Sequence, residues 1–167
     1  PVQHLALVIG KWCAVVILGM AVALISSLSF IPAQWFIQSD SLQAMFQFGP
    51  SEVLAFLLLQ VPLAAGLGAV LMALAIRSKT FKEAQAGSGL VITLVGLAPM
   101  ISMLNPGGDA TWYLWVPGLA QNTLMMLVLK GESLSLVKVL PGVAVGLMLV
   151  ASCLVYVARS MRLAVAR

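Results

Sequence analysis

Few side chains in this sequence can do chemistry, and most of those are amides and hydroxyls set in long apolar runs. Gln60 stands in the first half of one run, and Gln121, Asn122 and Thr123 stand together in another. An amide in apolar surroundings needs a hydrogen-bond partner, so Gln60 faces either another helix or an aqueous pathway. Gln121 and Asn122 invite the same two readings. Ser26, Ser27, Ser29, Thr93 and Ser102 complete the polar set. Hydroxyls at such depth bond to their own helix backbone or to a neighbouring helix.

Enzymatic chemistry finds little to work with. A phosphate-binding loop needs a glycine, four spacer residues, then Gly-Lys and a hydroxyl, so that backbone amides can cradle phosphate. Gly10-Lys11 is followed by Trp12 and has no upstream glycine, and Lys130-Gly131-Glu132-Ser133 has the wrong order. Gly87-Ser88-Gly89 is a poor match to a serine-hydrolase elbow, and His4 lies outside the apolar runs. Cys13 and Cys153 sit within such runs as small hydrophobes, with no Cys-x-x-Cys and no second histidine. No catalytic residue, cofactor or metal site is expected.

The elements that must position the amides follow from composition. The chain is 62% hydrophobic and 8% charged, more apolar surface than a soluble domain could hide. A helix rises about 1.5 Å per residue and must cover about 30 Å of hydrocarbon. Trp12 to Phe30, Val53 to Ile76, Gly87 to Leu104 and Val139 to Ala158 each meet that length. Trp112 to Lys130 does not. Pro117-Gly118 breaks it, and Gly118 to Leu129 spans only roughly 18 Å, which suits a re-entrant or interfacial segment. The expected fold is therefore an all-α membrane protein: one transmembrane domain of four helices, with a re-entrant segment at about 112–130 before the last span. Ser39-Asp40-Ser41 and Asn105 to Asp109 read as turns.

Charge sets the orientation. With four crossings, Lys11, Arg77, Lys79, Lys82, Arg159, Arg162 and Arg167 share one side, whereas Lys130 and Lys138 fall on the other with Asp40, Glu52, Asp109 and Glu132. The basic excess belongs in the cytoplasm, so both termini are expected there, in a plasma (bacterial inner) membrane. A fifth crossing would place Arg159, Arg162 and Arg167 outside. Trp35, Trp112, Tyr113 and Trp115 suit the outer headgroup layer. The net charge of +4 meets anionic lipid rather than nucleic acid, since there is no polybasic run. Gly142 and Gly146 form a GxxxG, read as helix packing before a dimer interface.

Arg77, Lys79, Phe81, Lys82 and Glu83 form a tight cytoplasmic turn reaching Gln85. It serves either as a positive-inside anchor or as a contact, through Phe81 and Glu83, for a cytosolic partner.

Three stretches, in order, resemble the permease subunits of ABC exporters, specifically the NatB-like sodium-efflux branch: LVIGKWCAVVILG near the start, SKTFKEAQ after the second span, and VPGLAQNTLMMLVLKGE before the last. In that family a Gly-Lys pair opens the span after a coupling loop, as at Gly10-Lys11. A Phe-Lys-Glu-Ala-Gln stretch follows the next span, as at Phe81 to Gln85. A proline-containing, non-crossing segment ending in Lys/Arg-Gly-Glu precedes the last span, as at Pro117 to Glu132. The resemblance implies the carboxy-terminal part of a half-transporter, with two further spans, an external domain and the main coupling helix upstream of Pro1. It also implies an ABC ATPase subunit and a second permease half as partners, and export of sodium or another small solute. Without the resemblance, a non-catalytic membrane adaptor or assembly subunit is the alternative, and a membrane hydrolase a distant third.

Overall fold

A computed structural model of the chain describes residues 4–33, 49–104, 111–131 and 134–165. The turns at Ser39-Asp40-Ser41 and Asn105 to Asp109, together with Trp35, Glu132 and Arg167, lie outside the described residues. So do the side chains of His4 and Arg162.

Four long helices cross the molecule: α1 (His4–Ala33), α2 (Pro50–Arg77), α3 (Phe81–Leu104) and α5 (Leu136–Val165). Between α3 and α5 lie a short 3-10 segment (Thr111–Trp115) and α4 (Leu119–Leu129). The four long helices are each long and apolar enough to span a bilayer, and α4 is not. They match the four expected spans in number and order but run further at most ends. α1 extends two turns before Trp12, and α3 begins at Phe81 rather than Gly87.

The residues are distributed as a bilayer demands. Ile17, Leu18, Val22, Ile25, Leu147 and Met148 are exposed on the outside of the bundle, whereas Gly66, Gly68, Ala69 and Gly146 are buried in it. Lipid tails are as apolar as leucine, so helices gain nothing by hiding large side chains. They gain by close backbone approach through small ones.

α2 is the hub, packed on all four other helices. The α1–α2 pair is antiparallel: Gly68 lies against Trp12, Val15 and Val16, and Gly19 against Ala64. Trp12 donates its indole Nε1–H to the Ala65 carbonyl at 3.0 Å. A tryptophan N–H at that depth must find an acceptor, and this one ties the two helices in register. The α2–α5 pair runs parallel: Gly146 lies on Pro62, and Gly66 on Leu149. Both glycines of the GxxxG are thus used inside the chain, Gly142 facing Ala120 of α4 and the Leu114 carbonyl. The start of α1 and the end of α5 meet at one end of the bundle, where Val8 and Ile9 adjoin Ala158 and Arg159. An even number of crossings follows from that meeting.

Candidate functional site

The 3-10 segment and α4 form a V that dips between the long helices and returns. Its point is the Pro117-Gly118 break. Gly118 adopts φ 84°, ψ −49°, a left-handed conformation that needs glycine. A β-carbon there would also stand 2.9 Å from the Val95 carbonyl oxygen and 3.7 Å from Ala98 Cβ. Pro99, four residues after Val95, lacks the N–H that would occupy that carbonyl within α3. The point of the V fits into the gap that Pro99 leaves. By the helical rise, Val95 lies about 13 Å below the end of α3 and Pro62 about 18 Å into α2. Those depths make the segment re-entrant in shape.

From the break, α4 runs back along α2 and α5. Leu124 and Leu127 pack with Leu59, flanked by Leu134 and Val139. On the other arm, Tyr113 is buried with Ala98 and Leu119. Trp112 and Trp115 stay exposed, as rings at a headgroup layer would be. α4 closes on Gly131, at φ 72°, whose N–H bonds the Val128 carbonyl at 3.0 Å. The Lys130-Gly131 pair is thus a helix stop.

A cavity of about 110 Å³ opens just past the point of the V, lined by Pro62, Leu67, Val95, Pro117, Gln121 and Gly146 among others. Gln121 is its polar side chain and is 5% exposed. Its Oε1 accepts the Gly118 N–H at 2.8 Å, capping α4. Its carboxamide nitrogen makes no bond to a described residue, and among the described residues no buried side-chain nitrogen or oxygen lacks a partner. The nitrogen therefore keeps accessible surface, which the cavity provides. Among the described residues no acidic side chain lines this space. Among the described residues there is no group of three His, Cys, Asp or Glu able to hold a metal.

The other amides part company with Gln121. Asn122 donates Nδ2–H to Ser102 Oγ at 3.0 Å, and Ser102 donates to the Pro99 carbonyl at 2.7 Å. Asn122 is therefore an interhelical bridge between α4 and α3. Gln60 is half-buried, lies away from the cavity lining, and has no hydrogen-bond partner among the described residues. Thr123 bonds the Leu119 carbonyl and Ser29 the Ile25 carbonyl, each within its own helix.

At the far end, the turn expected over Arg77 to Gln85 is shorter than its sequence suggests. Only residues 78–80 leave the helices. Thr80 Oγ1 accepts the Glu83 N–H at 3.2 Å, and Glu83 Oε2 accepts the Lys79 N–H at 3.0 Å. This reciprocal cap starts α3 at Phe81. It occupies Glu83, which was expected as a partner contact, and leaves Phe81 unencumbered at 83% exposure. Arg77, Lys79 and Lys82 are exposed around it. The Thr-x-x-Glu spacing was the available signal for this cap, and the indole of Trp12 within a span was the signal for the α1–α2 bond.

These features define an integral membrane protein with four apolar helices of spanning length and a re-entrant helical V. No protein-family model, curated protein or solved structure matches the chain.

Proposed function

We propose that this chain is the transmembrane permease part of an ATP-driven exporter, moving sodium or another small solute and driven by a separate ATPase subunit. In this reading a second permease half completes the pathway. The hairpin between α2 and α3 and both ends of the chain face the cytoplasm of a plasma (bacterial inner) membrane.

The observation that carries the reading is the hairpin. A phenylalanine 83% exposed, held on a capped helix start beside Arg77, Lys79 and Lys82, offers a protein partner an aromatic anchor. The resemblance of Phe81 to Gln85 to a stretch of exporter permeases supports an ATPase subunit as that partner. At the other end, the re-entrant V places the Gln121 amide beside a cavity, and non-helical backbone at membrane depth is tolerated where it is buried in protein or lines a cavity. A space of about 110 Å³ suits a small solute. Binding sites for drug-sized molecules are about 300–1,000 Å³. Helices that each lose one internal hydrogen bond at Pro62 and Pro99 and pack through glycines can rock against one another, as alternating access requires.

The adaptor reading is favoured by one observation: the cavity is closely packed and has a single amide for its chemistry. Co-expression with an ABC ATPase subunit, taken from a neighbouring reading frame where one encodes it, separates the two. A permease retains the ATPase through purification, and Phe81→Ala inserts normally but loses stimulated ATP hydrolysis. An adaptor retains no ATPase even with the unaltered hairpin.

A further inference from the structure

A further groove, larger than the cavity beside Gln121, lies beyond it along α5, toward the end of that helix. It is a groove of about 330 Å³ between the start of α1 and the end of α5, walled by Val8, Ile9, Ala151, Leu154 and Ala158 and closed by Arg159. Its origin is readable in the register of α5. Ala151, Leu154, Val155 and Ala158 follow one another at helical spacing and form the stripe turned to α1. Alanine at both ends of that stripe leaves room that a larger residue would fill. α1 and α5 are both held on α2, so they cannot close the gap by sliding together. Val8 of α1 and Val157 of α5 are buried, with 1% and 0% of their surface accessible.

The stripe ends in a cation. Arg159 is exposed and pairs with no acidic side chain among the described residues. Lys11, one turn along α1 from Val8, is exposed on the same end of the molecule. An apolar slot open to the bilayer and finished by a guanidinium at its mouth has the form of an acyl chain joined to a phosphate.

We propose that this groove is a binding site for one anionic phospholipid. Arg159 takes the headgroup phosphate, and Ile9, Leu154 and Ala158 enclose the upper part of an acyl chain. Lipid tails gain nothing by exchanging one apolar neighbour for another, and phosphatidylcholine carries the same phosphate with a compensating choline cation, so selectivity rests on the net charge of the headgroup beside Arg159, where screening by water is weaker than in bulk. A free phosphate ion would meet the same guanidinium without the slot. The proposal is independent of the transport reading, because it uses none of the residues of the hairpin or the V.

The test uses the full chain purified in a non-ionic detergent. Phosphatidylglycerol, phosphatidylcholine with the same acyl chains, and inorganic phosphate are each titrated against it, reading bound lipid by native mass spectrometry and the midpoint of thermal unfolding. The expected result is one retained phosphatidylglycerol per chain with a raised midpoint, weaker retention of phosphatidylcholine, and no effect of phosphate. Arg159→Gln, at an exposed position that leaves the fold intact, weakens phosphatidylglycerol retention at least tenfold and removes the preference over phosphatidylcholine. Ala158→Leu, which fills the slot, weakens both lipids. Equal retention of the two lipids by the unaltered chain overturns the proposal. So does an unchanged preference in Arg159→Gln, or stabilisation by inorganic phosphate to the same extent as by phosphatidylglycerol.

Discussion

Gly146 of α5 lies so close to Pro62 of α2 that a β-carbon on the glycine would stand 2.9 Å from both Pro62 Cβ and the Pro62 carbonyl oxygen. Neither neighbour is the end of a flexible side chain, so the helices must separate to admit it. Gly146→Ala is expected to destabilise the bundle by about 1–3 kcal/mol, the usual cost of overpacking, read as a lowered unfolding midpoint in micelles. Gly142→Ala is the contrast. A β-carbon there meets Ala120 Cβ at 3.5 Å, an ordinary contact, and the midpoint should hardly move.

Two glycines with positive φ separate backbone strain from crowding. Gly131→Ala meets nothing within 4 Å, so its cost is the left-handed backbone alone, about 1–2 kcal/mol. Gly118→Ala carries similar strain and also strikes the Val95 carbonyl at 2.9 Å. It should be clearly the more damaging of the pair in the same unfolding measurement. Equal losses would place the point of the V elsewhere.

The neighbouring amides should differ on truncation. Gln121→Leu leaves the buried Gly118 N–H without its acceptor, at about 1–3 kcal/mol. Asn122→Ala removes the bridge to Ser102, yet Ser102 keeps its bond to the Pro99 carbonyl, so about 0.5–1.5 kcal/mol is expected. If the cavity is a solute site, Gln121→Leu also abolishes transport in proteoliposomes, while Asn122→Ala retains a measurable rate.

In the hairpin, the helix cap and the proposed partner contact fall on different residues. Thr80→Ala and Glu83→Ala each remove half of the cap, at about 1 kcal/mol, and should speed amide exchange over the first turn of α3. Phe81→Ala should leave exchange unchanged and, if the hairpin is the proposed ATPase contact, act on ATPase binding alone. A Phe81→Ala variant that loosens the first turn would argue that the ring is packed in the native assembly.

The crossing number can be read by labelling. In a background of Cys13→Ala and Cys153→Ala, cysteines introduced as Lys79→Cys and Arg159→Cys should react from one face of the membrane, and Lys130→Cys from the other. Lys79→Cys and Arg159→Cys reacting from opposite faces would require a fifth crossing.

The spans were legible because a bilayer imposes a long-range rule on local sequence. Any run of apolar residues of sufficient length must be helical, since no water is present to satisfy its backbone. The failure of the Trp112 to Lys130 stretch to cross was legible for the same reason: Pro117-Gly118 interrupts the length requirement. The hairpin was misjudged by a turn, because the charged residues Lys82 and Glu83 read as loop when they are the capped start of α3. The two readings of the amides could not be separated in advance, as they depend on which helix each side chain meets.

The amino-acid sequence alone determined an all-helical membrane protein, its four crossing helices and the short broken segment, because these depend on composition, length and proline. Only the tertiary structure decided that Gly146 seats Pro62, that the V fits under the carbonyl freed by Pro99, and that Gln121 rather than Gln60 borders the cavity. Those relations join residues far apart in the chain. Between helices surrounded by lipid, what selects them is the fit of small residues against backbone, and shape of that kind is not written in any local run of hydrophobicity.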